Sequence, residues 1–368
     1  MIRFDLLLVG FGHVAQRFVT LLEEQRTPLA RQHGVTTRVV GIVTRRHGEA
    51  SALGGLDAAS LARRAARGEP IGATTSARPA ATLIRDIARA SPAARDGRLV
   101  VVETTTLDIA RGQPAIDHVR AALTNGAHLI TANKGPVAFA YRALAQTAAR
   151  AGRRFLFEGA VMDGIPIFNL VRETLPAVTI LDFRGVVNST TNYILTAMEA
   201  GQPFGEALAE MQAAGIAEAD ASLDVDGWDA AAKTAALANV LLDARLTPRS
   251  VERQGITAAT GARAAAARDA GRRVKLVARA AREGRRVSAR VGPEELPDDD
   301  LLAGLEGQQN AIVFHTDLLG EIAVVQRGGG LTQTAYALLS DLVTVAGDVS
   351  RPPPDRRGRS RARRDRSL

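Results

Sequence analysis

The chain has 368 residues, 46% of them apolar and only 4% aromatic, which suits about two domains with cores of Ala, Val, Leu and Ile. It has no cysteine, which excludes a disulfide framework, a thiolate nucleophile and a cysteine zinc site and fits a reducing, cytoplasmic setting. The net charge of +8 is concentrated at one end: residues 351–368 hold eight Arg against two Asp, leaving +2 for the rest. That Pro- and Arg-rich stretch is expected to be a disordered basic tail, and no specific nucleic-acid partner is expected. No apolar run reaches the roughly 18 residues of a membrane span, so no membrane role is expected. The opening run Ile2–Val9 carries Asp5 and lacks a basic leader, so it reads as a strand and not a signal peptide.

In chain order, Phe4–Val9 is a β run and Phe11–Glu24 has apolar residues at helical spacing. Further β runs follow at Thr37–Val43, Leu99–Val102 and His128–Thr131. Helical stretches lie between and after them: Ala58–Arg67, Ala80–Ala90, Ala115–Thr124 and Ala138–Ala151. Alternating β and α over residues 1–151 predicts a parallel sheet with helices on both faces. After residue 152 the pattern changes. Arg154–Phe157 and Ile180–Val187 read as strands, followed by helices near Asn192–Glu199 and Gly205–Ala214 and a long Ala-rich one from Trp228 to Leu242. Residues 255–326 mix helix with the β segments Arg286–Val291, Asn310–His315 and Glu321–Val325. This predicts a second, α+β domain over 152–330. A last helix, Thr332–Ala346, follows the glycine run Gly328–Gly330, and the segment 331–348 is expected to return to the first domain.

The stretch Gly10-Phe11-Gly12-His13-Val14-Ala15 follows a strand and opens a helix, the context a Rossmann-type dinucleotide site requires. Gly10 suits the tight turn and Gly12 a close approach of backbone to pyrophosphate, with the helix N-terminus facing the phosphates. Ala15 replaces the third glycine. The second strand runs into Arg45 and Arg46, where sites for NAD place a carboxylate; arginine suits a 2′-phosphate, so NADP(H) is favoured over NAD(H). The third strand leads to Thr104 and Thr105, the fourth to Asn133 and Lys134, all at carboxyl ends of parallel strands, where ligands bind.

Only three of the 47 basic residues are lysine: Lys134, Lys233 and Lys275. Arginine stays protonated, whereas a buried lysine can exchange a proton, so in an arginine-writing chain the lysines are candidates for chemistry; drift is the plain alternative. Lys275 has no chemical neighbourhood in sequence and is expected to be structural, within a helix. Lys233 closes the densest charged stretch, with Glu218, Asp220, Asp224, Asp226 and Asp229 before it. Asp229 and Lys233 share a helical face. The stretch could hold a substrate ammonium beside a proton-donating lysine, or be an acidic helix start with an ordinary i,i+4 ion pair.

Taken together these stretches resemble the homoserine dehydrogenase family. The resemblance is carried by Asp224, Gly227, Asp229 and Lys233, and by Thr131–Lys134, Glu158–Pro166, Gly185–Leu195 and Gly328–Leu342. It runs across residues 3–347. It implies an enzyme that reversibly reduces the aldehyde of L-aspartate 4-semialdehyde to L-homoserine, a step towards threonine and methionine. In it, Lys233 is the acid–base residue, Lys134 its partner at the carbonyl, and Asp229 the carboxylate beside the substrate hydroxyl. Glu218, Asp224 and Thr190 are implied to hold the amino-acid end. Gly330 joins the cofactor residues named above. Glu158, Val161, Asp163 and Ile165 are implied to line a Na+ or K+ site, mostly through backbone carbonyls. The second domain is implied to carry catalysis and homodimerisation. Two neighbouring ammonium groups are expected to depress each other's pKa. Two positions depart from the family pattern: Ser189 replaces a glycine, with a possible cost if φ is positive there, and Ala221 replaces a proline. The recognisable pattern ends near residue 348, so a short form without a C-terminal regulatory domain, and without feedback inhibition through one, is expected. Two alternatives stay open: another amino-acid-linked NAD(P) oxidoreductase on this fold, or a non-catalytic NADP-binding regulator.

Overall fold

The computed structural model describes residues 1–72, 78–213 and 220–350. Two six-stranded sheets organise them. The first contains β1 (Ile2–Val9), β2 (Val35–Thr44), β3 (Gly48–Ser51), β4 (Leu99–Glu103), β5 (His128–Thr131) and β6 (Phe155–Leu156), in the order β3-β2-β1-β4-β5-β6. Every pair in it is parallel except the β2–β3 hairpin. Its central strands are buried almost throughout, as a sheet with both faces covered requires. Phe4, Leu6 and Leu8 face one core with Phe18 and Leu22 of the helix His13–Glu24 and with Leu338 and Leu342 of the last helix, Leu331–Ser350. Leu7 and Val9 face the other core, with Leu83, Ile84 and Val119. The last helix packs against this face of the first sheet. Asp5, the charge within the first run, is buried and satisfied by Arg38 at 2.8 Å and by the Ser91 hydroxyl, which donates to it at 3.1 Å.

The second sheet contains β7 (Ile180–Val186), β8 (Glu252–Arg253), β9 (Arg272–Glu283), β10 (Arg286–Pro297), β11 (Asn310–Thr316) and β12 (Gly320–Gln326), in the order β12-β11-β7-β9-β10-β8. It is antiparallel apart from the short β8–β10 pair. The helix Trp228–Leu241 is buried on almost every side, with six alanines among its fourteen residues, and it lies between the helix Lys134–Ala151 and strands β9 and β10. Alanine permits such close packing on all faces, and it fixes Lys233 between the two sheets.

Lys275 lies on a strand and not in a helix. The Arg- and Ala-rich run Arg272–Glu283 has the composition of a helix, but β9 sits inside the sheet, paired on one side with β7 and on the other with β10. Val274 to Ala278 are all buried, so the period-2 alternation that announces a half-exposed strand is missing. The chain also turns straight from β2 into β3, which places Arg45 and Arg46 in an exposed hairpin turn.

Candidate active site

A cleft of about 500 Å³ opens between the sheets. Its walls come from the carboxyl end of β5, the turn at 159–163, the start of the helix Ser189–Glu199, the start of the Trp228 helix and the segment before the last helix. Three expected residues meet inside it. Lys134 is the first residue of its helix, which Asn133 caps: the Asn133 carbonyl oxygen accepts from Gly135 N at 2.8 Å, and its amide donates to Thr105 O at 2.9 Å. Asp229 lies in the first turn of the Trp228 helix and Lys233 one turn further on. The Lys134 ammonium is 3.1 Å from one Asp229 oxygen and the Lys233 ammonium 2.9 Å from the other. Lys233 also donates to Val187 O at 2.8 Å.

Asn188 joins this group to Asp224. Its amide nitrogen donates to Asp224 at 2.7 Å and to Asp229 at 3.0 Å, while its oxygen accepts from Thr191 N at 2.8 Å and caps the Ser189 helix. Sequence reasoning passed over Asn188, although an Asn directly before Ser-Thr-Thr is a helix-start signal. Thr190 is buried and lines the cleft, as does Ser189. Ser189 is the first residue of a helix and is not among the positive-φ residues, so replacing glycine there strains no backbone. Ala221 is buried against Met211, with φ −87°, immediately before the short helix Ser222–Val225. Glu218, the residue expected at the substrate ammonium, lies outside the described residues, as does the basic tail 351–368.

The electrostatics differ from two lysines repelling each other. Burial alone would lower the Lys233 pKa, but the charges of Asp229, Asp163 and Asp224 outweigh it and raise it above its ordinary value. Burial would likewise raise Asp229, but Lys134, Lys233 and the Asn188 amide hold it well below the usual carboxylate range. Asp224 moves the other way, raised by burial and by the charge of Asp229. The expectation that the ammonium groups depress each other fails for Lys233 because a shared carboxylate lies between them.

The nucleotide side is built from backbone. Gly10 has φ +90°, and a Cβ there would meet Thr104 C and O at 2.8 Å, so the crossing of the two loops admits only glycine. Gly12 caps the His13 helix with nothing within 4 Å of where its Cβ would be, which leaves the helix N-terminus open to phosphate. Phe11 is buried in the core, so only its backbone is available there; His13 is exposed and Val14 half-buried. Thr104 donates to Gly10 O at 3.3 Å, and Thr105 N donates to the fully buried Glu103 at 3.0 Å. Gly330 lines the cleft together with Gly329, Leu331 and Thr334.

At the expected cation site, Glu158 spends its carboxylate on the backbone N–H groups of Ile167, Phe168 and Asn169, at 2.5, 3.0 and 2.5 Å. Its own N–H donates to Asp341 at 2.9 Å, whose pKa burial and the Glu158 charge push up to about 7. Met162 and Asp163 both have positive φ, turning the chain between Val161 and Ile165. Among the described residues no group of three or more His, Cys, Asp or Glu is placed to hold a metal ion.

A parallel-sheet domain with an open helix N-terminus, joined across a cleft to a buried Lys–Asp–Lys cluster, defines a nucleotide-linked oxidoreductase of carbonyl or alcohol groups. Family models agree on which one: homoserine dehydrogenase over residues 166–343, and the homoserine dehydrogenase NAD binding domain over residues 10–158. The chain is 37% identical over 356 residues to an NAD(+)-dependent homoserine dehydrogenase of Pseudomonas canavaninivorans, covering 95% of this chain and 98% of that one. It is 40% identical over 229 residues to homoserine dehydrogenase of Methanocaldococcus jannaschii, covering 62% of this chain and 67% of that one. A crystal structure of a putative homoserine dehydrogenase from Archaeoglobus fulgidus matches with a TM-score of 0.80 and 30% identity, over 93% of this chain and 99% of that one. The chain belongs to the homoserine dehydrogenase family.

Proposed function

We propose that this chain reversibly reduces L-aspartate 4-semialdehyde to L-homoserine with a nicotinamide dinucleotide. The observation that carries this reading is the Lys134–Asp229–Lys233 cluster, set in a cleft beside an open nucleotide loop. When bound, the nicotinamide supplies the hydride for reduction and takes it back for oxidation. Lys233, kept protonated by its carboxylate neighbours, gives the developing alkoxide its proton. Lys134 adds positive charge at the same oxygen. Asp229 holds the two ammonium groups at one place, and a substrate oxygen entering there competes for their free N–H bonds. Asp224 and Thr190, with Glu218, hold the amino-acid end.

For the cofactor, the exposed pair Arg45 and Arg46 after β2 supports acceptance of a 2′-phosphate, hence NADP(H). The NAD(+)-dependent name belongs to the Pseudomonas relative, so both cofactors belong in the assay. A monovalent cation at Glu158, Val161, Asp163 and Ile165 would be held by carbonyls, because the Glu158 carboxylate is already engaged. The exposed Leu181 and Val325 of the second sheet, with Leu318 and Leu319 in its β11–β12 turn, support a homodimer through that sheet. No helix among the described residues is long and apolar enough to cross a membrane, and a cysteine-free chain suits the cytoplasm.

The test is oxidation of NADH and of NADPH with L-aspartate 4-semialdehyde, on the wild type and on Lys233→Arg. Turnover that vanishes in the variant supports the reading. Tight dinucleotide binding without wild-type turnover points to a regulator.

A further inference from the structure

The cleft has one lining residue that neither the sequence motifs nor the lysine cluster accounts for. Gln308 belongs to the loop between β10 and β11, lines the cleft, and is only half-buried. Among the described residues its side-chain amide has no hydrogen-bond partner, so it is free to meet a ligand in the cleft.

The loop is gripped on both sides of Gln308. Asn192, itself buried, donates from one amide to Gly307 O and to Gln309 O, both at 3.0 Å. Gly307 N donates to the Thr196 hydroxyl at 3.2 Å. Two residues further back, Lys275, fully buried, donates to Leu305 O at 2.6 Å. Gln309 N closes a turn onto Glu306 O at 3.1 Å. Asn192 and Thr196 stand on the same helix that begins with Ser189 and Thr190 at the cleft. One helix thus presents two cleft residues and fixes the loop that presents a third. This also explains the third lysine of the chain: Lys275 is a loop anchor.

The charges around the cleft say what a free amide there can recognise. Asp163, Asp224 and Asp229 line it, and both lysines are already paired with Asp229. An α-amino acid places its ammonium among the carboxylates. Its carboxylate is repelled from them and needs neutral donors, which Ser189, Thr190 and Gln308 supply.

We propose that Gln308 is a specificity-determining residue, its amide N–H2 donating to the α-carboxylate of the substrate, with Asn192 and Lys275 as positioning residues for its loop. This rests on the activity proposed above and names how that site selects an amino acid over a plain amino alcohol.

The experiment compares wild type, Gln308→Ala and Gln308→Glu with L-homoserine and with 3-aminopropan-1-ol, which is the same molecule without its α-carboxylate. Rates with NAD+ and NADP+ give KM and kcat, and calorimetry gives the affinity of each ligand independently of turnover. A hydrogen bond to a charged group predicts a loss of homoserine affinity and a rise in KM of roughly tenfold or more for Gln308→Glu, and a smaller change for Gln308→Ala. The preference for homoserine over 3-aminopropan-1-ol shrinks by the same factor, while kcat for homoserine stays within about threefold. Equal losses on both ligands would mean that Gln308 only shapes the loop, and no loss on either would mean that it does not touch the substrate; each overturns the assignment. Wild type that neither binds nor oxidises homoserine would overturn the proposed activity itself, a result distinct from both.

Discussion

The two walls of the cleft are made of different materials. The nucleotide wall is backbone: a glycine whose φ of +90° lets two loops cross, and a helix start left open by a second glycine. The substrate wall is side chains drawn from distant stretches, Lys134, Asn188, Asp224, Asp229 and Lys233, tied into one network. A backbone site tolerates almost any neighbouring side chain but no change in its glycines. A side-chain network tolerates backbone drift but no change in its charges. Substitutions on the two walls should therefore fail differently, the first in cofactor affinity and stability, the second in turnover and its pH profile.

The sharpest contrast is Lys233→Ala. It removes the proposed proton donor and leaves the nucleotide loop untouched. We expect kcat to fall about 10³-fold or more, with dinucleotide affinity unchanged within about twofold. Steady-state rates together with fluorescence titration of NADPH check both halves. A parallel loss of cofactor binding would show that the two walls are not separable.

Asp229→Asn comes next, with an expected loss of about 10²-fold in kcat and a displaced pH profile. In the proposed mechanism reduction needs Lys233 protonated. In the wild type its pKa is raised above 10.5 by Asp229, Asp163 and Asp224 against the opposing effect of burial, so the reduction rate should stay level across the neutral range and fall only in strong alkali. Without the Asp229 charge, burial prevails and the pKa drops. The alkaline fall should then begin at lower pH. Oxidation of homoserine needs the unprotonated amine, so its rate should climb with pH, and in the variant that climb should begin earlier. A profile that does not move would show that Asp229 does not govern the protonation of Lys233.

The same division of materials decided what was legible in the sequence. Backbone chemistry is written in glycines at fixed spacing, so Gly10 and Gly12 could be read directly, together with the strand before and the helix after. The pair Asp229 and Lys233 was legible as an i,i+4 face, but its meaning was not: an acidic helix start looks the same. Resemblance supplied the role, and geometry supplied what neither gave, the single carboxylate between two lysines. Asn188 and Gln308 were missed because each reaches the cleft across a long sequence gap, Asn188 beside Asp224 and Asp229, Gln308 from a loop more than a hundred residues after the helix that fixes it. Lys275 was misplaced because a doubly buried central strand loses the alternation that identifies strands, while its Arg and Ala content imitates a helix.

On the backbone wall, Gly10→Ala should cost roughly 1–3 kcal/mol, because a Cβ meets the Thr104 carbonyl at 2.8 Å and φ +90° is unfavourable for alanine. Thermal melting should register the loss, and NADPH affinity should fall with it, because the same crossing sets the approach to phosphate. Turnover at saturating cofactor should recover most of its wild-type value, the opposite of Asp229→Asn. An alanine variant of full stability would mean that the crossing is looser than 2.8 Å implies.

The smallest effect is expected where the nucleotide wall does use side chains. Arg45 and Arg46 sit exposed in the β2–β3 hairpin turn, where Arg46 N donates to the Thr44 hydroxyl at 3.4 Å. Charges so exposed are screened, so a double Arg45→Ala, Arg46→Ala variant should lose about tenfold or less in kcat/KM with NADPH and almost nothing with NADH. Raising the salt concentration on the wild type should mimic part of that loss. Equal effects on both cofactors would remove the 2′-phosphate from the argument and align the chain with the NAD(+)-dependent relative of Pseudomonas. Either result bears on the comparison, because a specificity carried by two solvated arginines can change in evolution without disturbing the glycines beneath it, whereas nothing on the opposite wall can change alone.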